Sequence, residues 1–242
     1  MTHIEITTPD GTANALLERP AGEPRGGVLF IMDAYGLRPR IEEMVARIAS
    51  QGYVVLAPNV FYRGGSDPIG PLPDMTDEEA RATLWAKIGP LMGQLGPQAV
   101  ASDSGAWLGR LSDEVSGPVG ATGYCMGARY CLRAAAAHPE RVAAGGGFHG
   151  GGLVTDGADS PHLAVGTISA EVYLGHADED PSMPPEAVTA LDDALGAAGV
   201  RHQSEVYAGA RHGYTMADTP AWNEAACERH FTALFGLLDR AL

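Results

Sequence analysis

The sequence predicts an α/β fold in which a mainly parallel sheet carries helices on both faces, and three observations predict it. Short apolar, β-rich runs recur along the 242 residues and alternate with stretches that read as helices. The runs are almost continuously apolar, as expected of strands covered on both faces. One of them passes through a glycine-flanked turn into a run of strong helix formers, a strand-elbow-helix unit.

Taken in order, the strand-like runs are 27–32, 53–57, 118–123, 143–148, 172–174 and 204–207. Between the first two, residues 40–51 place Ile41, Met44, Val45 and Ile48 on one helical face, with Gln51-Gly52 as the stop. Residues 128–137 are rich in alanine and read as a helix. Residues 185–199 repeat the helical pattern with Val188, Leu191 and Leu195. The last helix is expected to start at Thr219-Pro220, where Thr caps and Pro suits the first turn, and to run towards Ala241 through Trp222, Phe231, Leu234 and Leu238. These apolar residues read as core. Residues 59–75, with Gly64, Gly65, Pro68, Gly70, Pro71 and Pro73, form a long irregular connection, which suits either a pocket wall or an exposed connector. No repeat, low-complexity tract or linker divides the chain, so one domain is expected over 1–242.

Hydrophobic residues make up 45% of the chain and charged ones 19%, which supplies a core and argues against disorder. The net charge of −14, with no basic cluster to reverse it locally, argues against a nucleic-acid partner. The start of the chain has no basic segment followed by an apolar stretch, and no apolar run approaches a membrane span, so a cytoplasmic protein is expected. Cys125, Cys131 and Cys227 cannot all pair with one another and form no metal-type spacing, so reduced thiols are the simplest reading.

The chemistry centres on Gly123-Tyr-Cys-Met-Gly127. In a nucleophile elbow the central residue sits on a strained turn, and flanking glycines are needed because side chains there would meet the neighbouring strand and helix. The central residue here is Cys125. Its sulfur would lie near a helix N-terminus, which favours thiolate over thiol, and the amide of Met126 becomes a natural oxyanion donor. A nucleophile needs a base and an orienting acid, and in this fold the acid and then the histidine follow it in chain order on loops after later strands. His212, between the run 204–207 and the last helix, is the candidate base. Asp178 and Asp180, just after 172–174, both qualify as the acid. Tyr35, Tyr124, Phe148 and His149 are candidates for lining a pocket. The histidines show no H-E-x-x-H or comparable spacing, so no metal is assigned and no cofactor is called for.

These residues, in their order and spacing, resemble the dienelactone hydrolase family (carboxymethylenebutenolidase-like enzymes), cysteine-type α/β-hydrolases. The resemblance spans nearly the whole chain, through Val28-Leu-Phe-Ile-Met-Asp-Ala-Tyr-Gly36, Gln51-Gly-Tyr-Val-Val-Leu-Ala-Pro58, Gly123–Gly127, Asp180-Pro-Ser-Met-Pro184 and His212-Gly213. It implies the α/β-hydrolase fold, a triad of Cys125, Asp180 and His212, and Ala34 as the second oxyanion amide. It also points to Asp180 over Asp178. Two departures stand out. Asp33 occupies the place of a glutamate that interacts with the nucleophile in well-described members, and Met216 that of an arginine that helps hold the substrate carboxylate. Arg38, Arg63 and Arg81 are the arginines available to substitute, each otherwise a surface or capping residue. The expected activity is hydrolysis of a small ester or lactone. The rival readings are a ligand-binding or redox-responsive protein, and a thioesterase or acyltransferase with the same nucleophile.

Overall fold

The chain opens with a hairpin, β1 (Thr2–Thr8) and β2 (Gly11–Glu18), in the computed structural model, which describes residues 1–242. The sequence reading had not identified these two strands. β1 forms the edge of the sheet, with most of its side chains in solvent, so it lacks the continuous apolar run that marks a covered strand. Then follow β3 (Gly26–Ile31), α1 (Pro39–Ala49), β4 (Tyr53–Pro58), α2 (Glu78–Met92), α3 (Pro97–Ser112) and β5 (Val119–Tyr124). The second half comprises α4 (Met126–Ala137), β6 (Val142–Phe148), β7 (Glu171–Ala177), α5 (Pro185–Ala197), β8 (His202–Tyr207) and α6 (Glu224–Ala241).

All eight strands join one sheet in the order β1-β2-β4-β3-β5-β6-β7-β8. Pairing is parallel from β4 through β8 and antiparallel where β2 meets β1 and β4. Every residue of β3, β4 and β5 is buried, which accounts for their unbroken apolar sequence. The chain order reverses beside β3: β4 pairs with one of its edges and β5 with the other. Ligands of open α/β sheets gather at such a switch, outside the carboxyl ends of the strands.

Helices α2 and α3 were not read from the sequence. Only Leu84 and Ile88 of α2 are buried, so it has no apolar stripe to detect. Its start is nevertheless well defined, because the Asp77 side chain accepts the amides of Glu79 and Ala80. The last helix begins at Glu224 rather than at Thr219-Pro220. Asn223 caps it by accepting the amide of Ala226, whereas the Thr219 hydroxyl bonds the carbonyl of Met216 and the amide of Ala221 in a separate turn. No helix is long and apolar enough to cross a membrane.

Candidate active site

Cys125 lies between the last residue of β5 and the first of α4, with φ 55° and ψ −117°, a conformation that costs energy in any residue but glycine. Close packing of β5, α4 and β3 holds it there. A Cβ on Gly123 would stand 2.0 Å from the carbonyl oxygen of Gly127, and one on Gly127 would stand 2.5 Å from that of Ile31. Both obstacles are backbone and cannot swing aside. Gly127→Ala is therefore expected to destabilise the protein by about 3 kcal/mol or more, read as a lowered urea midpoint.

The Cys125 sulfur is half-buried, and His212 Nε2 lies 3.0 Å from it. On the other side of the ring, His212 Nδ1 stands 2.5 Å from Asp180 Oδ2. Asp180 is itself held: its Oδ1 accepts the Ser182 hydroxyl at 2.6 Å and the Ser182 amide at 2.9 Å. Three loops, after β5, β7 and β8, thus meet in one line of hydrogen bonds. Asp178 turns elsewhere and accepts the amide of Gly209 at 2.8 Å. Ser182 had no signal of its own in the sequence, since a serine two residues after an aspartate is common in turns.

Electrostatics favour charge separation along this line. Burial alone would lower the His212 pKa, but the negative charge on Cys125 and the bond to Asp180 outweigh it and push the value up to about 10. Asp180 is buried, which favours its neutral form, yet His212 and Ser182 hold its pKa below the ordinary carboxylate value. The arrangement supports a protonated imidazole held between the Cys125 sulfur and the Asp180 carboxylate.

A cavity of about 230 Å³ opens beside the sulfur, with Asp33, Ala34, Tyr35, Arg81, His149 and Met216 in its walls. The amide of Ala34 donates to no backbone carbonyl, and that of Met126, opening α4, has no intrahelical acceptor. Met75 brings the end of the 59–75 connection to the wall. Trp85 contributes from α2, an element the sequence reading did not find. Burial above all, with the nearby Asp33, raises the Tyr35 phenol to about 12, so it stays protonated. His149, fully buried, stands with Nε2 2.7 Å from the Thr215 hydroxyl. Burial, reinforced by His212 and His230, pushes its pKa well below the usual imidazole range and keeps it neutral.

Two candidate pocket residues are placed elsewhere. Tyr124 and Phe148 are fully buried and stack at 5.8 Å between centroids, with Phe30 on the far side of Tyr124 and the His230 ring edge-on to both. Strand alternation explains this: each side chain immediately precedes a residue facing the cavity and points to the opposite side of the sheet. The arginines also divide. Arg63 pairs with Asp10 and Asp103 away from the site, Arg38 is buried in a salt bridge with Asp33, and Arg81 lines the cavity with no acidic partner. No group of three or more histidines, cysteines and carboxylates is placed to hold a metal ion.

Comparison with known proteins agrees with this architecture. A Salmonella typhi protein provisionally named carboxymethylenebutenolidase is 26% identical over 246 residues, covering 92% of this chain and 86% of its own. A Klebsiella pneumoniae structure, provisionally a dienelactone hydrolase, superposes with a TM-score of 0.85 at 20% identity over 99% of this chain and 98% of that one. A dienelactone hydrolase-like promiscuous phosphotriesterase from metagenomic libraries gives 0.78 at 24% identity over 99% and 98%. At such identities the structures establish the α/β-hydrolase fold. The model of the dienelactone hydrolase family matches residues 13–242, and the chain belongs to that family of hydrolases.

Proposed function

We propose that the protein hydrolyses small carboxylic esters or lactones through a Cys125-His212-Asp180 triad and a thioester acyl-enzyme. The observation that carries this reading is the continuous line from the Cys125 sulfur through His212 to Asp180, at 3.0 and 2.5 Å, on the wall of a small cavity. The thiolate attacks the carbonyl carbon, and the charge that builds on its oxygen is met by the amides of Ala34 and Met126. The imidazolium of His212 protonates the departing alkoxide. It then takes a proton from water as that water attacks the thioester, and collapse of the tetrahedral intermediate releases the acid and the thiolate, which restores the thiolate–imidazolium pair. Asp180 orients the ring and stabilises its charged form.

Family membership and the size of the cavity support small substrates, and the walls bear on their charge. Met216, Met75, Trp85, Pro220 and Ala221 offer apolar surface, while Arg81 is a cation without an acidic partner. A substrate carboxylate would find its counter-charge there. Neutral esters are accepted by the apolar walls alone.

The test is hydrolysis of a panel of short p-nitrophenyl esters and unsaturated lactones, with mass spectrometry of the trapped enzyme. Turnover and an acyl group on Cys125 are expected. Arg81→Ala should raise KM about 10-fold or more for lactones bearing a carboxylate and leave that for neutral esters within about 2-fold. A wild type that turns over no member and takes no adduct would sink the hydrolase reading and favour a ligand-binding or redox-responsive role.

A further inference from the structure

Two positions singled out in the sequence, Asp33 and Met216, meet at one guanidinium. Arg38 grips Asp33 as a fork, Nη1 to Oδ1 at 2.6 Å and Nη2 to Oδ2 at 3.0 Å. Its Nε and Nη2 reach Asp218 at 2.6 and 3.2 Å, Nη1 donates to the carbonyl of Gly36 at 3.2 Å, and Nη2 lies 3.3 Å from the sulfur of Met216. The Arg38 side chain is only 9% exposed and that of Asp33 4%. A cation therefore stands beside position 216, supplied by the turn after β3 instead of the loop after β8.

The bonds join two loops that both contribute to the cavity wall. Asp33 Oδ1 also accepts the amide of Tyr35 at 3.1 Å, which shapes the turn containing Ala34. Asp218 belongs to the segment that follows His212 and includes Met216 and Thr219, both in the cavity wall. We propose that Arg38 is a positioning residue of the reaction: it fastens the Ala34 turn to the His212 loop and cancels the Asp33 carboxylate that shares the cavity with the Cys125 sulfur. This rests on Cys125 being the nucleophile. A thiolate would be a second anion in the walls of one small cavity, and an unpaired carboxylate in the same walls would oppose its formation.

The other charged or titratable groups facing that space are His212 with Asp180 behind it, neutral His149 after β6, Arg81 from α2, Tyr35 from the same turn, and Asp218 beyond Arg38. Removing Arg38 leaves Asp33 and Asp218 without their shared cation, and Arg81 is the arginine in the cavity wall.

Two readouts separate the parts of the proposal. The pH dependence of Cys125 alkylation by iodoacetamide, located by peptide mass spectrometry, reads thiolate formation without ester turnover; kcat/KM on the best ester reads positioning. Arg38→Met should move the acidic limb of alkylation up by about one pH unit and lower kcat/KM about 10- to 100-fold. Adding Asp33→Asn to Arg38→Met should return the limb to its wild-type position while kcat/KM stays low. Asp218→Ala should lower kcat/KM and leave the limb in place. Arg38→Lys, which keeps the charge and loses the fork, should behave like Asp218→Ala, and it carries the test if Arg38→Met does not fold. An unmoved limb and unchanged kcat/KM in Arg38→Met, or a limb that stays displaced in the double variant, would overturn the proposal. If the wild type turns over no ester, the hydrolase reading fails, and the alkylation series still decides whether Arg38 screens Cys125.

Discussion

Cys125→Ala is expected to lower kcat on every ester or lactone accepted by the wild type by at least about 10⁴-fold, with no acyl adduct and an unchanged fold. The size of the effect follows from the chemistry. Under the proposed mechanism no acyl-enzyme forms without the sulfur, and His212 loses its partner at Nε2. What remains is the oxyanion site and substrate binding, whose residual acceleration elsewhere is about 10³- to 10⁴-fold over water. The fold should persist because the side chain makes one hydrogen bond, to His212, and the turn is imposed by glycines on either side. Circular dichroism and a steady-state assay check both halves. Turnover within about 10-fold of wild type would place the nucleophile elsewhere.

Asp180→Asn should lower kcat about 10²- to 10⁴-fold with little change in KM, because the ring it orients acts in the chemical step. It also has a signature in pH. In the wild type burial lowers the His212 pKa, but Cys125 and the bond to Asp180 outweigh it and raise the value to about 10, so under the proposed mechanism the imidazolium that would protonate the leaving group persists through neutral pH. Activity is expected to fall as pH rises through that value. An asparagine retains the hydrogen bond but not the charge, so His212 gives up its proton at lower pH and the alkaline limb of kcat/KM moves down. Because sulfur and imidazole titrate as a pair, the limb reports the pair. An alkaline limb that stays in place would mean that Asp180 orients His212 without stabilising its charge.

Much of the fold was legible because burial on both faces leaves a trace in sequence. Strands β3 to β7 and helices α1, α4 and α5 show it, with boundaries within a few residues; β8, at the far edge, was read from its residue types although only Tyr207 is buried. The trace was absent where one face meets solvent, as in β1, or where a helix buries few residues, as in α2; β2 and α3 were missed as well, although each buries several residues. The start of α6 was misplaced because Thr219-Pro220 has the composition of a helix cap while its hydroxyl is committed to a local turn.

The candidate site divides in the same way. The sequence by itself determined the family, the Gly-x-Cys-x-Gly elbow and the order of cysteine, aspartate and histidine on successive loops, because these depend on residue type and chain order. The resemblance already pointed to Asp180 over Asp178; only the tertiary structure decided that Tyr124 and Phe148 belong to the core, that Arg81 faces the cavity without a counter-ion, and that Arg38 lies between Asp33 and Asp218. Those outcomes depend on where side chains from distant loops meet. The Arg38–Asp218 contact joins residues 180 positions apart, and no local pattern encodes a distance in space between them.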